Sequence, residues 1–252
     1  MENKFRIFGN NEQLAELLAG DLISLFGSVL KKKDHVNIAL SGGSTPKLLF
    51  KKLADTYSDF SGWDKIKFFW ADERCVPVSD KDSNYGEVKK LMFDKLNTSA
   101  DKTKIPEENI FRMKGENDPE AEAESYSEIL LSNLPAENSF PLLDVILLGL
   151  GEDGHTASIF PGMTELIDTN KFCAAVKHPQ SGQHRITLTA GVINNSKNII
   201  FLVSGKNKSG VVSDILNEKG DFEKYPAYFI KPFDGMLTWY LDKGAAGEVS
   251  LI

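Results

Sequence analysis

Four short apolar segments, each followed at once by a polar or glycine-rich motif, constrain the fold of this chain most strongly. These segments span residues 36–40, 66–70, 144–148 and 199–203. Candidate helices lie between them, at residues 85–96, 120–134 and 209–216. Strands that alternate with helices are typical of a parallel sheet covered on both faces. The pattern therefore predicts an α/β fold with a mainly parallel, twisted sheet and helices on both faces.

A further amphipathic helix is predicted near the N-terminus, where Asn10 or Asn11 can cap it. Its apolar stripe consists of residues at intervals of three and four, namely Leu14, Leu18, Leu22, Leu25 and Val29. Residues 236–241 form either a closing strand or a short helix, which periodicity alone does not decide. The polar stretch 97–118 is predicted to be a surface excursion. Because no internal repeat or long linker interrupts the pattern, residues 1–252 are predicted to form one domain.

Charge and chain composition exclude several classes of partner. The formal net charge is −7 and the pI is about 5.2, which opposes binding to nucleic acid or to an anionic membrane because a polyanion requires a basic field. The N-terminus lacks a basic region followed by an apolar stretch, and no run approaches about 18 apolar residues. We therefore expect a cytoplasmic protein without nucleic-acid or membrane partners. An anionic substrate would need local positive charge.

The motif Ser-Gly-Gly-Ser-Thr-Pro at residues 41–46 follows the first apolar segment. Gly42 and Gly43 allow the backbone to approach a ligand, and a helix that begins at Ser44 offers unpaired N–H groups to an anion such as phosphate. The alternative is an ordinary strand-to-helix turn that needs glycine for its dihedral angles. The motif is not a P-loop, because no Gly-Lys-Ser/Thr follows.

Two cations stand where they can neutralise such a phosphate. Lys208 lies near the start of a candidate helix, four residues after Ser204, and Arg185 precedes the apolar stretch 186–189. Arginine suits phosphate through its planar fork, and lysine acts as a point charge. Taken singly, such a residue is more often a solvated surface charge than a ligand of phosphate.

The glycine-rich turn after residues 144–148 carries an acid and an imidazole, Asp153 and His155. A histidine in that position can take a proton from water near neutral pH, and a carboxylate two residues earlier can hold or polarise it. The alternative is a helix-capping aspartate and a structural histidine. His35, His178 and His184 lack such a setting, and we predict that they are structural.

Asp72 and Arg74 belong to an Asp-Glu-Arg motif that follows the aromatic segment ending at Trp70. Such a motif is either part of the site or a solvated rim of the sheet. No cluster of His, Cys or carboxylate residues has metal-ligand spacing, and Ser158 lacks the flanking glycines of a nucleophile elbow. We therefore expect neither a metal nor an organic cofactor.

Taken together, these motifs resemble the glucosamine-6-phosphate isomerase and 6-phosphogluconolactonase family, in its lactonase branch, over nearly the whole chain. The resembling segments are residues 39–46, 70–77, 82–85, 149–162, 185–189, 205–208 and 239–242. The resemblance implies a modified doubly wound, Rossmann-like fold. It also implies hydrolysis of 6-phospho-D-glucono-1,5-lactone to 6-phospho-D-gluconate, the second step of the oxidative pentose phosphate pathway.

The resemblance also assigns roles to the candidate residues. The phosphate-binding residues that it implies are Gly42, Gly43, Ser44, Arg185 and Lys208. It makes His155 the general base on water, with Asp153 and Asp72 ordering the polar site, and it makes Arg74 a second substrate-facing cation whose target stays open. The expected partner is a phosphosugar lactone, and the expected state is a monomer or a small homo-oligomer.

Two rival functions remain open. In the isomerase branch, which deaminates amino-sugar phosphates, a glutamate follows the histidine by five residues; this chain has Phe160 there, and phenylalanine cannot relay a proton. Arg74 also matches the lactonase pattern, because deaminases tend to carry an uncharged residue at that position. A non-catalytic sugar-phosphate sensor would usually carry a basic DNA-binding helix-turn-helix, which the sequence does not show.

Overall fold

A parallel six-stranded sheet forms the centre of the computed structural model, which describes residues 4–98 and 103–247. Eleven strands are described: β1 (Lys4–Phe8), β2 (Val36–Leu40), β3 (Ile66–Trp70), β4 (Asp72–Arg74), β5 (Ala136–Glu137), β6 (Phe140–Pro141), β7 (Val145–Leu148), β8 (Cys173–Lys177), β9 (His184–Leu188), β10 (Asn198–Val203) and β11 (Met236–Asp242). The strand order of the central sheet is β1-β11-β10-β7-β2-β3, and every neighbouring pair is parallel. The predicted mainly parallel sheet is confirmed.

Helices connect these strands. They are α1 (Asn11–Leu30), α2 (Ser44–Thr56), α3 (Asn84–Val88), α4 (Asp94–Asn97), α5 (Pro119–Asn133), α6 (Ala190–Asn194), α7 (Ser209–Asn217) and α8 (Lys243–Ala246). The chain runs from β1 to β2 and β3 toward one edge of the sheet, and then returns through β7, β10 and β11. Because crossovers between parallel strands are right-handed, the reversal places the later helices on the opposite face from α1 and α2.

The local signals for helix starts agree with the structure. Asn10 caps α1, its side chain accepting a hydrogen bond from the N–H of Gln13 at 2.9 Å. The predicted helix at 85–96 is present as α3 and α4, joined without a break by a π-helical turn at Lys89–Phe93. The segment whose form periodicity left undecided is a strand, β11, which pairs with β1 and β10.

A second sheet, antiparallel and in the order β4-β9-β8, was not predicted. Its strand β4 has only three residues, too few for a period of two to be read from the sequence. The register of β4 and β9 places Arg74 beside Arg185, although these residues are far apart in the chain. This small sheet therefore carries two of the predicted cations to the edge of the central sheet.

Two further segments differ from the simple sequence interpretation. Within the described part of the stretch 97–118, Ile105 and Met113 are buried and the N–H of Phe111 donates to the carbonyl of Phe68 at 2.8 Å, so this stretch covers the edge strand β3. By length and composition alone, α1 would suffice to cross a membrane, with a mean hydropathy of 1.4. In this fold it packs against α2, β1, β2 and β11, as the core helices of globular proteins do.

Candidate active site

The predicted site residues meet in one cavity of about 220 Å³ beyond the carboxyl ends of β2, β7 and β10. This is the point at which the strand order reverses, where ligands of open parallel sheets bind. Eight of the nine predicted residues line it: Gly42, Gly43, Ser44, Asp72, Arg74, His155, Arg185 and Lys208. The ninth, Asp153, contacts His155.

The glycine turn after β2 ends in the N-terminus of α2. Gly43 is the N-cap residue, with φ of 119°, a backbone conformation that favours glycine, and it makes no side-chain capping hydrogen bond. The first N–H groups of α2 therefore lack the side-chain acceptor that often caps a helix. The hydroxyls of Thr45 and Ser204 lie 2.8 Å apart, which ties this turn to the loop after β10.

The turn after β7 holds Asp153 and His155 together. Oδ1 of Asp153 lies 2.5 Å from Nδ1 of the His155 ring and 3.2 Å from the His155 backbone nitrogen. The N–H of Gly151 donates to the His155 carbonyl at 2.8 Å, and the Thr156 hydroxyl donates to the carbonyl of Gly149 at 2.9 Å. A Cβ at position 151 would lie 2.1 Å from His155 Nδ1, so only glycine allows the turn to close so tightly.

The charge state of Asp153 determines which nitrogen of the neutral His155 ring carries the lone pair. Burial raises the pKa of Asp153, but the hydrogen bond and charge of His155 outweigh burial and hold the pKa below its ordinary value. Asp153 is therefore an ionised acceptor at neutral pH. Because the acceptor requires a hydrogen on Nδ1, the lone pair of the neutral ring lies on Nε2.

Asp72 is buried and receives hydrogen bonds from two different parts of the chain. The hydroxyl of Ser158 donates to Oδ2 at 2.7 Å, and the amide of Asn84 donates to the Asp72 carbonyl at 2.9 Å. Arg185 forms an ion pair with the same carboxylate at 4.0 Å. Asp72 therefore orients one cation of the site.

The cations face the cavity from two sides. Burial lowers the pKa of Arg185, the charge of Asp72 opposes this shift, and Arg74 adds to it. Burial also lowers the pKa of Lys208, which Glu152 and Asp153 partly oppose. Arg74 donates to the carbonyl of Asp82 at 2.8 Å. Three cations around one cavity supply the local positive charge that an anionic ligand needs in a chain of negative net charge.

Sequence reasoning assigned no role to several residues that the structure places beside the site. Asn84 and Ser158 bind Asp72, and Glu73 accepts hydrogen bonds from the chain around Asn84. The only sequence signal for Asn84 was its place in the resembling segment 82–85. Phe160 is fully buried, with its ring centroid 4.8 Å from that of His155 and 4.9 Å from that of His178. His178, predicted to be structural, therefore lies near the site.

Within 4–98 and 103–247, no three His, Cys, Asp or Glu side chains are grouped so as to hold a metal ion.

Known proteins are similar to this chain in both sequence and fold. The model of the family described as glucosamine-6-phosphate isomerases/6-phosphogluconolactonase matches residues 9–239. A 6-phosphogluconolactonase from Haemophilus influenzae is 46% identical over 211 residues, which cover 83% of this chain and 86% of that protein. A 6-phosphogluconolactonase from Synechocystis is 40% identical over 221 residues, covering 87% of this chain and 86% of that protein.

Solved structures extend the similarity to nearly every residue. The structure of 6-phosphogluconolactonase from Trypanosoma brucei superimposes with a TM-score of 0.87 at 27% identity, covering 99% of both chains. A monomeric glucosamine-6-phosphate deaminase, at 21% identity and a TM-score of 0.78 over 96% of this chain and 98% of that one, shares the fold. The match to the family model and the identity to these relatives show that the chain belongs to the glucosamine-6-phosphate isomerase/6-phosphogluconolactonase family.

Proposed function

We propose that this chain is a 6-phosphogluconolactonase, which hydrolyses 6-phospho-D-glucono-1,5-lactone to 6-phospho-D-gluconate. The observation that carries the proposal is the placement of the Asp153–His155 pair in the same cavity as Arg74, Arg185 and Lys208. A base and an anion site in one cavity suit an ester that is linked to a phosphate. The names of the relatives at 46% and 40% identity support the same activity.

The phosphate end of the substrate is assigned to the glycine turn and two of the cations. The N-terminus of α2, beginning at Ser44, presents N–H groups and the positive end of its dipole to the phosphate. Arg185 and Lys208 neutralise its charge. Arg74 is assigned to the substrate as a further cation, on the side of the cavity formed by the small antiparallel sheet.

The lactone end is assigned to His155. Nε2 of the neutral ring takes a proton from water as the water oxygen forms a bond to the lactone carbonyl carbon. The tetrahedral intermediate then breaks the bond between that carbon and the ring oxygen, and the imidazolium returns the proton to this oxygen. The acid that forms loses its own proton to solvent at neutral pH. Asp153 stabilises the imidazolium and keeps the ring in its productive tautomer.

The proposed reaction consumes the lactone that oxidation of an aldose phosphate at C1 produces. We therefore place the chain at the second step of the oxidative pentose phosphate pathway. No covalent intermediate with the enzyme is needed, because water attacks directly.

Deamination of glucosamine 6-phosphate is the alternative within the same family. That reaction opens the sugar ring and moves a proton at C2, so it needs a further proton relay next to the histidine. Phe160, which is fully buried against the His155 ring, occupies the position five residues after it. A phenyl ring cannot carry a proton, and this observation favours the lactonase.

A coupled assay separates the two activities. Glucose-6-phosphate dehydrogenase generates the lactone in place, and the appearance of 6-phosphogluconate is followed with and without the protein. Acceleration above the spontaneous rate is expected, with no ammonia released from glucosamine 6-phosphate. Ammonia release without acceleration of lactone hydrolysis would move the chain to the deaminase branch.

A further inference from the structure

Asn84 is a buried residue between β4 and the glycine turn after β2, and it lies outside the cavity itself. Its side-chain amide donates to the backbone carbonyl of Asp72 at 2.9 Å and lies 3.4 Å from the Asp72 carboxylate. Only 2% of the residue is exposed. Asn84 therefore contacts the strand that carries Asp72 and Arg74.

The same side chain lies directly against the glycine turn after β2. A Cβ added at Gly42 would lie 1.7 Å from Oδ1 of Asn84, and the nearest atoms that it would meet all belong to this side chain. No real Cβ tolerates such a distance. The backbone at Gly42 thus packs directly against the Asn84 side chain, with no room for a Cβ between them.

Stability alone does not explain an asparagine at this position. Its Oδ1 is buried and has no hydrogen-bond partner among the residues that the structure describes. A buried amide oxygen without a partner disfavours folding. The residue is better explained by what its two contacts hold in place.

Glu73 fixes the backbone from which this side chain extends. Its carboxylate is buried and accepts hydrogen bonds from the N–H groups of Asn84 at 2.7 Å, Tyr85 at 2.8 Å and Arg74 at 2.8 Å. The hydroxyl of Ser83 donates to it at 3.2 Å. A residue of β4 thus caps the first turn of α3 and sets the position of Asn84 relative to the strand.

We propose that Asn84 is a positioning residue that sets the distance between Asp72 and the glycine turn at Gly42, with Glu73 fixing its backbone. The inference rests on the proposed function, because the two parts that Asn84 joins are those assigned to the orientation of Arg185 and to the phosphate. Asn84 itself does not line the cavity. Its effect on the reaction is therefore indirect.

A double-mutant cycle between Gly42 and Asn84 tests the inference. Gly42→Ala alone should lower kcat/KM about 100-fold, because a displacement of about 1 Å at a site can have that effect. Asn84→Ala alone should lower it about 10-fold. The double variant should be no worse than Asn84→Ala within about 3-fold, because the overlap no longer exists. Effects that multiply would overturn the inference.

A second measurement makes the test independent of catalysis. The dissociation constant for inorganic phosphate is measured by calorimetry on the same variants. Gly42→Ala should weaken phosphate binding about 10-fold in the wild-type background and less than about 2-fold in the Asn84→Ala background. An equal loss of phosphate binding in both backgrounds contradicts the inference, whether or not the wild-type chain hydrolyses the lactone. A wild-type chain that hydrolyses no lactone would overturn the proposed function separately.

Asn109→Ala is the matched control for simple destabilisation. Asn109 is also a buried asparagine, and its side-chain amide donates to the carbonyl of Asp64 at 2.7 Å, but it does not line the cavity. At equal loss of melting temperature, Asn109→Ala should keep kcat/KM within about 3-fold of the wild-type value, whereas Asn84→Ala should not. If the two variants lose activity equally, the effect of Asn84 is stability alone and the inference is wrong.

Discussion

Nδ1 of His155 lies 2.5 Å from Oδ1 of Asp153, a residue two positions earlier in the same turn. The contact is local in sequence, so it requires no distant part of the fold to align the two side chains. The tight turn that begins at Gly151 brings the two groups together, and β7 places this turn at the carboxyl edge of the sheet. The fold thus sets the geometry of the pair, and Nε2 of His155 remains available to accept a proton.

Asp153→Asn should lower kcat while leaving the fold intact. An amide at this position can donate to Nδ1 and so stabilise the wrong tautomer, and it removes the charge that stabilises the imidazolium. A loss of about 100-fold or more in kcat is expected, with a change of less than about 3-fold in KM. Steady-state kinetics on the in situ lactone measures both values. Asp168→Asn, at an exposed aspartate outside this turn, serves as the control and should match wild type.

Gly151→Ala should disturb the geometry of the Asp153–His155 pair without replacing either residue. The new Cβ would lie 2.1 Å from His155 Nδ1 and 2.4 Å from Asp153 Oδ1, so one of the side chains must move. We expect kcat to fall about 100-fold. Gly210→Ala, where a Cβ meets nothing within 4 Å, is the matched control. A Gly151→Ala enzyme with wild-type kcat would show that the tight pair is not needed for catalysis.

Arg185→Ala and Lys208→Ala should mainly raise KM for the phosphorylated lactone. Each change removes one charge that faces the anion, and a charge-assisted hydrogen bond to phosphate corresponds to about a 10- to 100-fold change in KM. Gluconolactone without phosphate should be hydrolysed equally by wild type and both variants. Lys206→Ala, an exposed lysine in the same turn as Lys208, controls for loss of net charge. Equal losses on both lactones would refute the phosphate assignment.

Glu73 should make stability depend on pH. Burial raises its pKa to about 7, although hydrogen bonds from three backbone N–H groups oppose this shift. Because the folded-state pKa lies above the unfolded value, the contribution to stability is fully present below about pH 4.5 and is lost as pH rises through about 7. The loss is on the order of 3 kcal/mol.

Urea unfolding of wild type and Glu73→Gln between pH 4.5 and 8 measures this contribution. The free energy of unfolding of wild type should fall relative to that of the variant as pH rises, because glutamine does not titrate. Parallel curves for the two proteins would mean that Glu73 keeps an ordinary pKa in the fold.

The sequence predicts the central sheet well for a physical reason. β2 and β7 are buried on both faces, so they read as continuous apolar runs bounded by turn residues, and their polar motifs follow at the carboxyl ends. The edge strand β1 was not among the predicted strands, although exposed and half-buried residues alternate along it with the period of two that is typical of a half-buried strand. The small sheet of β4, β9 and β8 was missed because β4 has only three residues and pairs with β9, a strand far away in the chain.

The site shows the same difference between local patterns, which the sequence predicts, and contacts between distant segments, which it does not. Asp153 and His155 are neighbours in one turn, so their spacing in the sequence was enough to predict that they form a pair. The hydrogen bonds that Ser158 and Asn84 make to Asp72 span 86 and 12 residues, and no local pattern encodes such a contact. The sequence therefore does not predict the contacts that support the site, whereas the residues that face the cavity lie within recognisable motifs.

The measurement that tests the central claim most directly compares wild type with His155→Ala in the coupled lactone assay, together with calorimetric binding of 6-phosphogluconate. The proposed mechanism predicts that kcat falls about 100- to 10,000-fold while the product still binds. His178→Ala, at a histidine whose ring centroid lies 4.9 Å from that of Phe160, is measured in parallel and should retain most of the activity. A His155→Ala enzyme whose kcat stays within a few-fold of wild type would contradict the claim that His155 activates the water.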